Sequence, residues 1–338
     1  MTSLMNKQWI KAATPKGAIQ ASDFALRSSP IPQVDAGQFL VQTHYLSVAP
    51  VMRRYLIDGA GIEAPLKIGD VMLGRGVGRI VESKSKAWPV GTFVQGKLGW
   101  QEYSLQSEGQ TPLMYPVRQT TAPLSTALGV LGMTGYTAYC ALKDIANPKE
   151  GEIALVSGAM GGVGSIAVQV ARLMGCTVIG VAGTDEKCNT LTNELGCAAA
   201  INYKTDNLTE VLVRHAPKGI DVFFDNVGGE ILDHALGNLA QYARIVSCGR
   251  ISQYLNESPY SLENWGQIGA KRAKMQGFFV YDYEPLFAEA ETVMAQWIAE
   301  GALHYREDIL EGIEQMPHAL MRLYEGKNIG KQIVKVYD

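Results

Sequence analysis

The sequence predicts an α/β protein in which a doubly wound parallel sheet is joined to a smaller, β-rich unit of barrel type. Three observations carry that expectation. The chain has 338 residues, more than one compact core usually organises, so two domains are expected. Its first third is a succession of short apolar runs punctuated by glycine and proline. Its middle holds continuous apolar runs alternating with amphipathic stretches, the pattern of parallel strands covered by helices on both faces.

The strand-like runs of the first third fall at 39–48, 69–74, 76–82, 89–94 and 99–104, with Pro30, Pro32, Gly37 and Pro50 as breakers. The character changes near Pro123. Residues 124–142 are mostly small and apolar, with Gly129, Gly132 and Gly135 at three-residue spacing; this predicts two helices broken around 132–135, where glycine permits close backbone approach. Strands are then expected at 153–156, 177–182, 199–201, 221–225 and 243–247, and helices at 164–174, 185–195 and 230–239. A further helix is expected over 309–323. The alternation of 331–336 suits a strand that returns to the first unit. The expected domains are therefore 125–303 for the parallel sheet, and 1–124 with 304–338 for the β-rich unit.

Apolar residues make up 47% of the chain and charged residues 19%, which suits a globular enzyme and excludes a mainly disordered chain. The net charge of −3 is not gathered into any block, so neither a nucleic acid nor an anionic membrane is an expected partner. Cys140, Cys176, Cys188, Cys197 and Cys248 are odd in number and form no C-x-x-C pair. That argues against a disulfide framework and a four-cysteine zinc lobe, and for reduced thiols in the cytoplasm. Residues 1–13 contain no apolar leader core, and no run of about 18 apolar residues follows. A sheet edge near 276–281, apolar with few charges, suits pairing of two copies, so a homodimer is expected.

The most specific local feature is the segment 157–165, Ser-Gly-Ala-Met-Gly-Gly-Val-Gly-Ser, between an expected strand and an expected helix. Gly158, Gly161 and Gly164 form G-x-x-G-x-x-G, a variant of the Rossmann dinucleotide fingerprint. Gly161 and Gly162, with Val163 between them and Gly164, let the backbone approach a pyrophosphate, and Gly164 permits close helix–strand packing. The helix N-terminus adds free N–H groups and partial positive charge. NAD binders carry an acid about 20 residues beyond the loop. Here the second strand ends Val-Ala-Gly-Thr at 181–184. Gly183 leaves room for a 2′-phosphate and Lys187 can meet its charge, so NADPH is the expected cofactor. Asp185 and Glu186 are accounted for by the helix dipole.

Segments spread over nearly the whole chain resemble the medium-chain dehydrogenase/reductase superfamily, and within it the zinc-independent group of prostaglandin reductases, alkenal double-bond reductases and curcumin reductases. They are 45–53 (Tyr-Leu-Ser-Val-Ala-Pro-Val-Met-Arg), 128–139, Asn202-Tyr203-Lys204, 224–229 (Phe-Asp-Asn-Val-Gly-Gly), 248–254 (Cys-Gly-Arg-Ile-Ser-Gln-Tyr) and 328–331. The group usually has Asp where this chain has Ala49. The resemblance implies a Rossmann domain with a GroES-like barrel as substrate domain. It implies that Lys187 and Tyr203 hold the 2′-phosphate and that Asn226 lies beside the cofactor. Cys248 and Gly249, through to Tyr254, would cover the nicotinamide half, with Phe278, Phe279, Val280 and Asn328 closing around it. Asn226 could equally serve as a turn residue, and Phe278 and Phe279 as plain core.

Zinc enzymes of the superfamily carry Gly-His-Glu in the barrel, where this chain has Gly74-Arg75-Gly76, and no histidine set has ligand spacing, so no metal is expected. Conjugate reduction of an apolar enone or enal, the activity the resemblance implies, fits a site without a metal: hydride goes to the β-carbon and the resulting enolate is protonated. Tyr254 is the candidate hydrogen-bond donor near the enolate oxygen, alone or with a ribose hydroxyl, because a neutral phenol can donate. A buried tyrosine with a backbone partner is the competing reading. Tyr45 and Met133 are weaker candidates for the substrate wall. Quinone reduction and non-catalytic NADPH binding are the alternative functions.

Overall fold

A computed structural model describes residues 5–59, 63–110, 113–118, 122–254 and 258–337. Cα packing divides the chain into two units, Met1–Gly129 with Glu307–Asp338, and Val130–Arg306. The division falls a few residues beyond 124 and 303. It does so because the 3₁₀ turn Leu124–Leu128 buries Ala127 and Leu128 against Val77 and Ile333 of the β-rich unit.

In the first unit, strands β1 (Met5–Lys11) and β2 (Phe24–Pro30) form an antiparallel hairpin. The strand β3 (Gln38–Ser47) leads through helix α1 (Met52–Ile57) to β4 (Arg75–Ser83), β5 (Phe93–Lys97), β6 (Tyr103–Ser107) and β7 (Tyr115–Pro116). Alternate residues of these strands, Phe39 and Val41, Ile80 and Val94, meet in one fully buried cluster with Leu98. The run 69–74 is not a strand of the sheet. Gly69 turns the chain with φ +93°, and Val71 makes only an isolated bridge to Ile10. The sequence 45–53 enters α1 at Ala49-Pro50, and no side chain caps that helix.

The second unit begins with helix α2 (Met133–Cys140), which continues as a π-helical turn over Ala141–Ala146. The expected break at 132–135 lies earlier than placed, because Gly132 is the N-cap and Gly135 is inside the helix. There a Cβ would stand 1.9 Å from the Val130 carbonyl oxygen. Parallel strands and helices then alternate: β8 (Ile153–Val156), α3 (Gly162–Leu173), β9 (Thr177–Ala182), α4 (Asp185–Asn193), β10 (Ala199–Asn202), α5 (Leu208–His215), β11 (Ile220–Asp225), α6 (Gly229–Gly237), β12 (Leu239–Ser247), the short α7 (Gln267–Ala270), β13 (Lys274–Gly277) and α8 (Phe287–Ala299). Among the described residues the sheet runs β10-β9-β8-β11-β12-β13, entirely parallel. That is the doubly wound Rossmann order, with its switch point between β8 and β11. Leu155, Ile179, Ile201, Phe223 and Ile245 from successive strands make one core with Leu212, Ile231 and Leu236 of the covering helices.

The chain then returns to the first unit. Residues 307–311 form β14 (Glu307–Glu311) rather than the start of a helix, because they pair in parallel with β15 (Lys331–Lys335). The helix α9 (Met316–Tyr324) starts later, with Pro317 in its first turn, where the missing N–H costs nothing. The strand β15 pairs antiparallel with β3, Ile333 opposite Ser47, as its alternation predicts. The sheet order is β14-β15-β3-β4-β5-β7, with β6 also on β3. No helix among the described residues is long and apolar enough to cross a membrane.

Candidate dinucleotide site

The loop between β8 and α3 is built by its glycines. Gly158 adopts φ +58°, and its carbonyl accepts the Gly161 amide at 2.9 Å, closing a tight turn. Gly161 is the N-cap of α3. The amides of Gly162, Val163 and Gly164 thus open the helix, where amides have no intrahelical acceptor. A Cβ on Gly164 would stand 2.1 Å from the Gly158 oxygen, so only glycine fits. Gly161, Gly162 and Val163 are partly exposed and Gly164 is buried. An anion of pyrophosphate type can therefore be met by backbone donors and the positive end of a twelve-residue helix.

At the switch point, Asp225 ties the loop to its neighbour strand. Its buried carboxylate accepts the Ser157 hydroxyl at 2.7 Å and the amides of Val227 and Gly228 at 3.0 Å. Burial pushes the Asp225 carboxyl upward, and these three hydrogen bonds oppose that shift. Asn226 donates its backbone N–H to the Ser157 hydroxyl and its side-chain Nδ2 to the Ser157 carbonyl, both at 2.8 Å. Its amide nitrogen is thus occupied in holding the loop, and its place is at the β11 tip, half-buried beside Gly158. The Ser157–Asp225 pair was missed by reasoning from spacing, since 68 residues separate the partners.

The tip of β9, Ala182-Gly183-Thr184, carries no acid of its own. Thr184 caps α4, its hydroxyl accepting the Lys187 amide at 3.3 Å. Asp185, the acid nearest the tip, is turned aside: its carboxylate accepts the Asn202 side-chain amide at 2.7 Å. Gly183 lies against the Tyr203 ring, where a Cβ would approach to 3.0 Å, and Tyr203 is 45% exposed. Lys187 is half-buried, and Lys204, to which the sequence assigned no role, places its ammonium 6.0 Å from the Tyr203 ring centroid. Gly183, Lys187, Tyr203 and Lys204 thus form a corner with two cations, able to hold a 2′-phosphate, in which the neighbouring Asp185 carboxylate is engaged by Asn202.

Beyond β12, the amides of Cys248 and Gly249 donate to the Asp225 carbonyl at 2.9 and 3.0 Å, and the chain folds into a 3₁₀ turn, Ile251–Gln253. Gly249 must be small, since a Cβ would stand 3.0 Å from the Asn226 oxygen. Burial beside Asp225 pushes the Cys248 thiol up to about 12, so it stays a neutral packing group. Tyr254 closes the turn, half-buried, with its amide on the Ile251 carbonyl at 3.3 Å. A cavity of about 400 Å³ adjoins this turn, with Gly249, Arg250 and Gln253 in its wall. Phe278 is half-buried, and Phe279 is 50% exposed at the end of β13, which does not suit plain core.

The second unit therefore brings Gly161–Gly164, Gly183, Lys187, Tyr203, Asn226, Cys248 and Gly249 to the carboxyl ends of its strands. Met133, partly exposed, is the first residue of α2 in the same unit. Tyr45 and Asn328 belong to the first unit. There Tyr45 lies on β3 opposite Lys335, packed against the Val77–Ile333 cluster, and buried Asn328 donates to the Gly330 carbonyl at 2.9 Å. Among the described residues no three His, Cys, Asp or Glu side chains converge as a metal site.

A Rossmann sheet with this corner defines an NADP-type oxidoreductase fold, and the comparisons agree. Residues 7–113 match a family described as the N-terminal domain of oxidoreductase, and residues 162–300 one described as zinc-binding dehydrogenase. The chain is 39% identical over 337 residues to the NADPH-dependent curcumin reductase of Escherichia coli (strain K12), covering 98% of this chain and 97% of the relative. It is 41% identical to prostaglandin reductase 1 of Bos taurus, covering 97% and 98%. The crystal structure of CurA in complex with NADPH from Vibrio vulnificus superposes with a TM-score of 0.92 at 40% identity, covering 98% and 99%. The chain belongs to the prostaglandin reductase and curcumin reductase group of the medium-chain dehydrogenase/reductase superfamily.

Proposed function

We propose that this chain catalyses the NADPH-dependent reduction of the C=C bond of apolar α,β-unsaturated ketones and aldehydes. The observation that carries the reading is likeness over 98% of the chain to an NADPH-dependent curcumin reductase. NADPH, when bound, supplies the hydride for the β-carbon. Gly161–Gly164 bind the pyrophosphate, while Gly183, Lys187, Tyr203 and Lys204 select the 2′-phosphate. Asn226, Cys248, Gly249, Phe278, Phe279 and Val280 surround the nicotinamide half, and the family resemblance gives Asn328 a cofactor-binding role. Tyr254 donates a hydrogen bond toward the developing enolate oxygen, and Tyr45 and Met133 are each assigned a substrate contact. The first unit is the substrate domain, and the reaction proceeds without a metal, Gly74-Arg75-Gly76 standing where zinc enzymes have a ligand. NADPH oxidation across a panel of enones, enals and quinones tests the proposal. The expected product is the saturated carbonyl; turnover of quinones alone, or an allylic alcohol as product, overturns it.

The second part of the proposal concerns assembly and location. The strand β13 is the edge of the parallel sheet, its residues Gln276 and Gly277 exposed and followed by exposed Phe279. A second copy pairing there would cover both an open ladder and an aromatic ring. Sedimentation is expected to show a dimer, and a monomer at micromolar concentration refutes it. The free state of all five cysteines supports a reducing, cytoplasmic setting.

A further inference from the structure

The segment leaving β13 poses a physical problem. Phe278 and Phe279 are followed by the 3₁₀ stretch Val280–Leu286, in which no residue is buried. A segment without buried apolar anchors is the least stable kind of structure, unless polar contacts hold it. The Tyr283 side chain supplies two contacts. The Tyr283 hydroxyl donates to Asp144 Oδ2 at 2.9 Å, and the edge of the Tyr283 ring meets Phe278, centroids 5.9 Å apart at 82°. Asp144 sits on the π-helical turn Ala141–Ala146, an irregularity common at functional sites. The same helix is bound to α8 by a Tyr136–Phe287 stack at 4.5 Å and by Glu289, which accepts from Tyr139 and pairs with Lys143. Asp144 is therefore presented from a helix tied to α8 at several points, while the stretch it holds has no buried residue.

We propose that the Asp144–Tyr283–Phe278 chain is a positioning latch that sets the Phe278–Val280 loop for the nicotinamide half of the cofactor. The inference rests on the cofactor assignment made above and assigns Tyr283 and Asp144 as positioning residues. It separates the two ends of the dinucleotide, because the latch lies on the 278–286 segment and not on the Gly183–Lys187–Tyr203 corner. NADPH should feel its loss, and a fragment ending at the adenosine phosphates should not.

The test is equilibrium binding of NADPH, followed by cofactor fluorescence, and of adenosine 2′,5′-bisphosphate, followed by calorimetry. Tyr283→Phe keeps the ring on Phe278 and removes the tether, and Asp144→Ala removes the acceptor. Each is expected to weaken NADPH about five-fold, the scale of one partly exposed charge-assisted hydrogen bond. KM for NADPH should rise in step, more than kcat falls. Asp144→Asn, which keeps an acceptor oxygen, restores most of the affinity, and the double variant is no worse than either single one. Binding of the bisphosphate stays within two-fold throughout. Unchanged NADPH affinity in both variants, or equal weakening of NADPH and bisphosphate, overturns the latch. Failure of the bisphosphate to bind the unaltered protein would instead refute the cofactor assignment, and the latch with it.

Discussion

Replacing Tyr254 with phenylalanine is expected to lower kcat for enone reduction by about 10²-fold, the usual cost of one missing donor at a developing oxyanion. NADPH affinity should change less than about two-fold, because the ring stays while only a hydroxyl is lost. The expectation follows from position. The residue closes a 3₁₀ turn pinned to the β11 end, with Ser252 Oγ on the Val227 carbonyl at 2.6 Å and the Tyr254 amide on Ile251. It is half-buried, so it presents a phenol partly screened from water on a backbone held at several points. A donor positioned in this way stabilises charge that appears only during reaction, so its removal lowers kcat more than it raises KM. Steady-state kinetics with saturating enone and NADPH, alongside direct cofactor titration, measure both quantities. Unchanged turnover would remove Tyr254 from the mechanism.

Gly183→Asp is expected to produce the second large effect, reversing the cofactor preference. The new carboxylate would meet the 2′-phosphate with like charge, while offering the ribose hydroxyl of NADH the acceptor that NAD binders use. The substitution also places a Cβ 3.0 Å from Tyr203, pressing on the ring that covers this corner. Loss of NADPH efficiency by about 10²-fold is expected, since one charge-assisted bond is worth about 1.5–3 kcal/mol and 1.4 kcal/mol is tenfold. Lys187→Ala should cost NADPH about tenfold with NADH little affected, and the NADPH advantage should shrink in high salt, which screens the partly exposed corner. The ratio of kcat/KM values for the two cofactors, at two ionic strengths, decides the matter. An unaltered ratio in both variants would place the 2′-phosphate elsewhere.

Much of this architecture was legible in the sequence because its signals are local. The apolar runs at 153–156 and 177–182 read as buried strands, and the glycines between the first of them and the next helix read as a tight phosphate-type loop. The tail strand at 331–336 also announced its alternation. Other features were hidden because they depend on partners far along the chain. The stretch 307–311 has helix-compatible residues, yet β15 captures it as a strand. The run 69–74 is apolar enough for a strand but has only a single bridge at Val71. Lys204 stands in a segment that carries the resemblance, but its place beside the Tyr203 ring shows only in the structure.

The cofactor loop shows where the line falls. From residue types alone come the glycines at 158, 161 and 164 and the missing acid at the end of the second strand, because φ above zero and close backbone approach are demands that single residues satisfy or fail. Only the tertiary structure decides that Asp225 grips Ser157 across the switch point, that Asn202 draws the Asp185 carboxylate aside, and that Tyr203 lies over Gly183. These are contacts between residues 17 to 68 positions apart at the strand ends, set by the order in which the sheet assembles and not by any spacing along the chain.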